Sequence, residues 1–312
     1  MTTATASATA QPSPGTRLRA LMRSGCVAAP GSFNGLCARA VAQAGFQATY
    51  VSGAATSVCA GVPDVGLLTL EHFCRAIREV ADGSGLPVLA DADTGFGEAE
   101  MVRRTVIDYA RAGAAGLHIE DQQFPKRCGH LDGKALVPTD HMVEKVQWAA
   151  KAARDVAAAS PALAGFVICA RTDARGVEGF DAAVARAAAY CRAGADMIFP
   201  EGLASDDEFA RFARDLSAAL APNPAPFLLA NMTEFGKTPL IPLSRFAAMG
   251  YHLVIYPVSL LRVAMGAVTS ALGELKSAGS VEPFISRMQT RQQLYDLVGY
   301  RPGTPWETPA RG

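Results

Sequence analysis

The sequence predicts a (β/α)8 barrel, because two features repeat along its 312 residues. Stretches with a helical pattern end four times in small residues and a glycine, as AQAG, ARAG, CRAG and AAMG, and glycine commonly follows the last turn of a helix. A short, continuous apolar run follows each of them, which is typical of a buried parallel strand. A doubly wound sheet is the alternative, but no GxGxxG follows the first predicted strand.

Eight apolar runs supply the predicted strands. In chain order they are VAAPGSF at 27–33, ATYVSG at 48–53, PVLADAD at 87–93, GLHIED at 116–121, FVICARTDA at 166–174, MIFPEG at 197–202, PFLLANMT at 226–233 and LVIYPVS at 253–259. Amphipathic stretches separate them, such as EAEMVRRTVIDYARAG, which places Val102, Val106 and Ala110 on one helical face. Strands therefore alternate with helices, as a barrel requires.

The two ends of the chain differ in composition from the barrel, which we place at residues 17–280. Residues 1–16 are rich in Ala, Ser, Thr and Pro and predict a disordered tail. Residues 281–312, which end in YRPGTPWETPARG, fit a C-terminal helical arm better than a barrel helix. No apolar signal region precedes the barrel. Arginines follow the tail directly, so a mitochondrial presequence is the alternative to a solvated tail. A presequence would place the protein in the mitochondrial matrix, whereas a solvated tail fits a cytoplasmic protein.

Composition excludes several classes of protein. Lys and Arg total 29 and equal Asp and Glu, so the chain lacks the basic excess of nucleic-acid-binding proteins. No apolar run reaches the roughly 18 residues of a membrane-spanning helix, and we expect no membrane partner. The seven cysteines are scattered without a CxxC pair, which argues against zinc sites and a disulfide framework. A reducing, cytoplasmic compartment is the simplest expectation.

Most of the predicted strands end in polar residues. In a barrel of this kind the active site lies at the carboxyl ends of the strands, so these side chains should surround one site. An ordinary polar rim is the alternative interpretation. The residues are Ser52, Asp91, Asp93, Glu120, Asp121, Arg171, Asp173, Glu201, Asn231, Thr233 and Arg262.

Two types of charged group indicate the chemistry of this site. Asp91 and Asp93 offer hard oxygen ligands at one strand end, which suits Mg²⁺, with Mn²⁺ as an alternative. The competing interpretation is that one of them caps the next helix. Arg171, Arg262 and Arg291 come from separate segments and suit a small substrate with several carboxylates. For Arg291 a surface position on a helix is the alternative.

The segment PKRCGHLDGK follows the fourth predicted strand and carries an isolated cysteine. Lys126, Arg127 and His130 flank Cys128, and positive charge stabilises a thiolate. Such a thiol can act as a nucleophile or as a general acid. The glycines of the segment allow a loop that opens and closes over the barrel mouth.

Five motifs, KRCGH, DADTGFG, GLHIEDQ, ARTDA and FPEG, together resemble the isocitrate lyase/phosphoenolpyruvate mutase superfamily, from about residue 17 to about residue 300. NMTEFGKTP, YPVSLLR and MQTRQQLY are most similar to the methylisocitrate lyases. The resemblance implies Mg²⁺-dependent cleavage of 2-methylisocitrate, a tricarboxylate, to pyruvate and succinate. It also implies a homotetramer in which C-terminal helices are swapped between subunits.

The same resemblance assigns roles to residues of this chain. It implies a metal site at Asp91 and Asp93, a general base at Tyr50, and a general acid at Cys128. The implied substrate contacts are Ser52, Gly53, Ala54, Cys128, Gly129, Arg171, Glu201, Asn231, Thr233, Arg262 and Arg291. Asp64 is expected to support them. The chain departs from the family at GAA, where a second glycine is usual. Alternatives are a dicarboxylate substrate (2,3-dimethylmalate or oxaloacetate), isocitrate, or a barrel that binds without catalysis.

Overall fold

The computed structural model describes residues 11–127, 129, 133–236 and 238–306. Eight parallel strands confirm the predicted barrel. They are β1 (Val27–Pro30), β2 (Thr49–Val51), β3 (Val88–Asp91), β4 (Gly116–Glu120), β5 (Val167–Thr172), β6 (Met197–Pro200), β7 (Phe227–Asn231) and β8 (Leu253–Tyr256). Each strand from β2 to β7 pairs with the next, and β8 pairs with β1. A single bridge from Gly31 to Tyr50 links β1 to β2, so the barrel is nearly closed.

Helices surround the barrel between the strands. They are α1 (Pro14–Ser24), α2 (Gly35–Gln43), α3 (Gly53–Cys59), α4 (Leu70–Ser84), α5 (Ala99–Ala112), α6 (Thr139–Ala159), α7 (Ala174–Val177), α8 (Phe180–Ala193), α9 (Asp206–Leu220), α10 (Leu243–Ala248), α11 (Ser259–Ala278) and α12 (Arg291–Val298), with short 3-10 helices at Pro161–Leu163 and Glu282–Arg287. Gly113 and Gly194 follow α5 and α8 in the left-handed conformation, as the glycine pattern predicts.

The strands divide the apolar core into two layers, because their side chains alternate between the barrel interior and the helices. Tyr50, Phe199 and Ile255 belong to the inner cluster, which also contains Leu18 and Met22 of α1. Helix α1 closes the amino-terminal end of the barrel, where its arginine side chains donate hydrogen bonds to carbonyls just before β3 and β5. The carboxyl ends of the strands are left for the polar residues.

The predicted disordered tail is too long, since Pro14 to Thr16 form the first turn of α1. Buried Ser13 caps this helix by accepting a hydrogen bond from the Thr16 amide. A serine cap followed by proline is a favoured helix start. Residues 1–10 of the predicted tail lie outside the described residues.

Helix α11 does not cover the barrel. Leu261 is its only buried residue, while Val263, Val268 and Leu272 are largely exposed. The C-terminal arm that the sequence predicts from residue 281 therefore follows a helix that is mostly exposed. The arm returns at α12, where Gln43 of α2 donates hydrogen bonds to backbone carbonyls of the last helix. No helix in the described part of the chain has the length and apolar character to cross a bilayer.

Candidate active site at the carboxyl ends of the strands

Most of the predicted polar residues meet in one cavity at the carboxyl ends of the strands, whereas Asp121 and Asp173 are buried outside its lining and Asp93 lines a neighbouring cavity. The predicted site residues that line it are Tyr50, Ser52, Ala54, Asp91, Gly129, Arg171, Glu201, Asn231, Thr233 and Arg262. Asp64, Glu120 and Lys126 line the same cavity. Opposite charges are thus concentrated in one small volume, which an ordinary polar rim does not require.

A larger cavity of about 850 Å³ lies beside it, between the amino-terminal ends of α4, α5 and α6. Its wall includes many apolar residues and touches the predicted site at Asp93. None of the arginines predicted to bind substrate lines this cavity. We therefore place the active site in the smaller, charged cavity.

Asp91 is fixed in the ionised state at the end of β3. Its Oδ2 accepts the amide of Gly53 at 2.9 Å, and its Oδ1 accepts the amide of Asp93 at 3.0 Å. Burial would raise the pKa of Asp91, but His118, Lys126, Arg171 and the Asp93 amide lower it to about 2. His118 is itself neutral above about pH 4. At neutral pH, where His118 is uncharged, Lys126 and Arg171 are the charged groups among these that stabilise ionised Asp91.

Asp93 lies beyond the strand and does not continue its alternation. Its backbone is left-handed, with φ of 47°, and its carboxylate turns toward Asp91. A Cβ on Gly53 would lie 2.7 Å from an Asp91 oxygen and 3.2 Å from an Asp93 oxygen, so both carboxylates converge on this glycine. Burial and the charge of Asp91 raise the pKa of Asp93 to about 6. Two converging carboxylates form an electronegative pair that favours a cation.

Arg171 is the centre of a buried ionic cluster at the end of β5. Its Nε lies 2.9 Å from Asp173 Oδ2 and 3.2 Å from Glu120 Oε2, and its NH1 lies 3.1 Å from Glu201 Oε2. The cation also lies 5.0 Å from the ring centre of Phe199. Arg171 stays charged, because the three carboxylates outweigh the effect of burial on its pKa. It presents a fixed, planar donor to the cavity.

Gly129 places the backbone of the predicted loop directly against this cluster. A Cβ on Gly129 would lie 2.2 Å from Arg171 NH2 and 2.7 Å from Glu201 Cγ. The ammonium of Lys134 lies 2.5 Å from the Gly129 carbonyl oxygen and 2.6 Å from Asp173 Oδ1. Only a glycine fits so close to the guanidinium. Cys128 itself lies outside the described residues.

Two further predicted substrate contacts lie on β7 and in the loop after it. Asn231 donates a hydrogen bond from Nδ2 to Glu201 Oε2 at 3.2 Å, and Thr233 is nearly buried. Arg262, at the start of α11, is exposed at the rim, where its NH1 lies 3.0 Å from Glu234 Oε2. Its guanidinium lies 5.2 Å from the ring centre of Phe235. The cavity therefore has one buried arginine and one at its rim.

Tyr50 is part of a buried pair that the sequence did not reveal. Its hydroxyl lies 2.7 Å from Nε2 of His118, and the two rings stack. Burial raises the pKa of Tyr50 well above its usual value and lowers that of His118 to about 4. A protonated phenol therefore faces a neutral imidazole. We did not predict His118 as a site residue, although it lies two positions before Glu120 and so on the same face of the strand.

Two predicted substrate contacts among the described residues do not line the cavity: Gly53, whose amide instead donates to Asp91, and Arg291. Arg291 is exposed at the start of α12, which packs on α2 outside the barrel. No group of three or more His, Cys, Asp or Glu residues has a metal-binding arrangement within the described ranges. A metal here would accordingly depend on two carboxylates.

Comparison with known proteins gives relatives over most of the chain. Residues 18–276 match the family model described as phosphoenolpyruvate phosphomutase. A probable 2-methylisocitrate lyase 1 of Corynebacterium glutamicum is 50% identical and covers 87% of this chain and 84% of its own length. The 2-methylisocitrate lyase of Aeropyrum pernix is 46% identical and covers 92% of this chain and 88% of its own.

Solved structures share the fold as well. The crystal structure of 2,3-dimethylmalate lyase has a TM-score of 0.83 at 36% identity and covers 93% of each chain. Phosphonopyruvate hydrolase in complex with oxalate and Mg²⁺ has a TM-score of 0.79 at 29% identity, covering 92% of this chain and 95% of that one. The matching model, the close relatives and the shared barrel all agree: the chain belongs to the phosphoenolpyruvate mutase/isocitrate lyase family.

Proposed function

We propose that this protein cleaves 2-methylisocitrate to pyruvate and succinate. The chain is a carbon–carbon lyase, the reaction class in the names of its close relatives. The observation that carries the proposal is the cavity that Asp91, Arg171 and Arg262 line together, with the carboxylate of Asp93 converging on Gly53 beside that of Asp91. A cation-binding pair opposite two arginines suits a substrate with several carboxylates.

The residues of the site fit a divalent cation. Asp91 and Asp93 converge on Gly53, and Glu120 Oε1 is buried without a hydrogen-bond partner among the described residues. We propose that the two aspartates hold Mg²⁺, or Mn²⁺, and that Glu120 supports it. The Mg²⁺ in the related hydrolase structure supports this assignment. Such a cation would polarise a substrate hydroxyl and stabilise the alkoxide.

Several groups of the cavity suit substrate carboxylates. Arg171 supplies a fixed positive charge inside the cavity, next to the developing charge of the departing carbanion. Arg262 is placed to bind the third carboxylate at the rim. The remaining proposed substrate contacts are Ser52, Gly53, Ala54, Cys128, Gly129, Glu201, Asn231, Thr233 and Arg291. Arg291 joins them through an arm that crosses to another subunit.

Two groups suit the proton transfers. Tyr50 is proposed as the base for the substrate hydroxyl, and neutral His118, 2.7 Å from the phenol oxygen, can accept the phenol proton through Nε2. We propose that Cys128 protonates the carbanion of the succinate product and that the segment carrying it acts as a gating loop. Lys126 and Arg127 next to it supply positive charge.

The direct test is a panel of substrates with coupled pyruvate detection. We expect turnover of 2-methylisocitrate, complete loss of activity in EDTA, and recovery with Mg²⁺ or Mn²⁺. Full activity in EDTA would remove the metal assignment. Turnover of 2,3-dimethylmalate or oxaloacetate alone would favour the dicarboxylate alternative, which the structure of 2,3-dimethylmalate lyase supports. Turnover of isocitrate alone would identify that substrate, and inactivity on the whole panel would favour a binding barrel.

Replacing Arg262 with alanine should separate these substrate classes. The guanidinium is held at the rim by Glu234 and is exposed enough to meet a ligand. We expect kcat/KM for 2-methylisocitrate to fall about 10–100-fold, because a hydrogen bond to a charged group is lost. Turnover of any dicarboxylate should change little. Arg245→Ala, which removes a surface ion pair with Asp206, is the matched control. Equal losses on both substrate classes would show that Arg262 has a structural role.

The exposed face of α11 supports a homotetramer with swapped arms. The helix exposes too much apolar surface for an isolated helix in water, at Val263, Val268 and Leu272. We expect Leu272→Asp to reduce the molar mass measured by light scattering to that of a monomer. Ser217→Asp, on the exposed side of α9, should leave the mass unchanged. A monomeric wild-type protein would contradict the swapped arm.

A further inference from the structure

Lys126 is a buried lysine whose ammonium lies among carboxylates. Its Nζ is 2.5 Å from Asp64 Oδ1 and 2.6 Å from Asp93 Oδ1, and its side chain is 4% exposed. Lysine is almost never buried to this extent unless it is paired. The ammonium therefore holds a defined position against one of the two carboxylates that we propose for the metal.

The backbone next to Lys126 is fixed by a neighbouring side chain. The amide of Arg127 donates to Gln122 Oε1 at 2.9 Å, and Gln122 Nε2 donates to the Arg127 carbonyl at 2.9 Å. Gln122 is itself buried. This two-point contact holds the chain so that the lysine side chain enters the cavity. The contact with Asp93 thus belongs to a built site and differs from a chance meeting of surface charges.

The ammonium of Lys126 is shared by two carboxylates near the end of β3. Asp64 and Asp93 both contact it, whereas Arg171 is engaged by Glu120, Asp173 and Glu201. The Asp93 oxygen that contacts the ammonium is the one that also faces Gly53. Lys126 therefore contacts an oxygen of the aspartate pair that we propose for the metal.

On this basis we propose that Lys126 is a tethered counter-cation that competes with the divalent metal for Asp93. The inference rests on the proposed metal site. When a divalent cation binds the aspartate pair, like-charge repulsion drives the ammonium from Asp93 toward Asp64, which keeps a partner for it. Lys126 thereby weakens metal binding in the free protein. It is a positioning residue that couples the metal site to the segment after β4.

Metal binding to the whole protein tests the competition without any assay of activity. Free Mn²⁺ is measured by electron paramagnetic resonance as it is added, at mildly alkaline pH so that Asp93 is ionised. We expect Lys126→Met to bind Mn²⁺ at least about tenfold more tightly than wild type, since a unit charge a few ångströms away is removed from a buried site. Lys126→Arg keeps the charge and should remain close to wild type.

Lys151→Met is the matched control, because Lys151 forms an exposed ion pair with Asp155 on α6. Its Mn²⁺ affinity should equal that of wild type. Equal or weaker Mn²⁺ binding by Lys126→Met would overturn the competition and leave the metal site intact. No Mn²⁺ binding to any of the proteins would overturn the metal assignment and the competition together. The two failures are therefore distinguishable.

A measurement on the wild-type protein covers the case in which Lys126→Met fails to fold. Trace acylation of amines, read by mass spectrometry, reports how freely each lysine reacts. We expect saturating Mn²⁺ to increase the reactivity of Lys126 several-fold, while Lys151 serves as the internal reference. Unchanged or reduced reactivity of Lys126 would show that the ammonium stays on Asp93 and would overturn the proposal.

Discussion

Replacing Arg171 with methionine should cost the protein both its stability and its activity. The guanidinium touches Glu120, Asp173 and Glu201 inside the barrel, and all three carboxylates are buried. Removing one partner of a buried ion pair leaves uncompensated charge and typically costs about 3–5 kcal/mol. Here three carboxylates lose the same partner. We therefore expect a loss in this range in the free energy of unfolding, measured with urea.

Turnover should fall as well, because Arg171 is the buried donor nearest to the proposed carbanion. Loss of one such fixed donor typically costs about 10²–10³ in kcat. Arg175→Met is the control, since Arg175 lies four residues later, in α7, and pairs with half-buried Glu208. That variant should lose roughly 1 kcal/mol or less, as exposed pairs do. Equal losses of stability in the two variants would show that the buried cluster contributes no more to folding than the Arg175–Glu208 pair does.

The pH dependence gives the Arg171 variant a second signature. Burial raises the pKa of Glu120, and in wild type the charge of Arg171 opposes this rise. Without Arg171 the pKa of Glu120 in the folded protein should rise further above its value in the unfolded chain. Stability gained in this way is present at low pH and is lost as pH rises through the raised pKa. The loss in free energy of unfolding relative to wild type should therefore be larger at mildly alkaline pH than at mildly acidic pH. A deficit that does not vary with pH would assign the loss to packing.

The barrel could be predicted because its strands carry a local signal. VLAD and VICART are buried on both faces, so they are continuous apolar runs wherever they occur in the chain. Asp91 and Arg171 follow from the same signal, since each lies at or near the end of a strand. His118 was not predicted, although a local signal was present. The strand GLHIE places His118 on the same face as Glu120. Burial of an imidazole beside Tyr50 is a consequence of that alternation.

The remaining errors depend on contacts between distant segments. Ser13 and Pro14 have a composition typical of disordered tails, yet Ser13 donates a hydrogen bond to the carbonyl of Ala164, which no local pattern reveals. The exposed face of α11 has the apolar content of a barrel helix, and only the structure shows that, within the described residues, no side chain of α11 except Leu261 is buried. Lys126 lies close to Cys128 in sequence, but its contact with Asp93 depends on the path that Gln122 fixes.

Cys128→Ser should remove most turnover and leave the fold and metal binding almost unchanged. Serine is nearly the same size as cysteine, so the substitution perturbs packing little. A serine hydroxyl is a far weaker acid than a thiol near neutral pH, and proton transfer by a placed acid contributes roughly 10²–10⁴ in rate. We therefore expect kcat for 2-methylisocitrate to fall by about this factor, with Mn²⁺ affinity and the urea midpoint equal to those of wild type.

The matched control for this variant is Cys59→Ser, since Cys59 is an exposed thiol at the end of α3 and does not line the cavity. It should retain full turnover. Positive charge beside the thiol is expected from Lys126 and Arg127, and Gly129 brings the next backbone position within reach of Arg171 and Glu201. Near-normal turnover of Cys128→Ser would show that another group of the cavity donates the proton. The ammonium of Lys126 would then be the first candidate, because the structure places it beside Asp93.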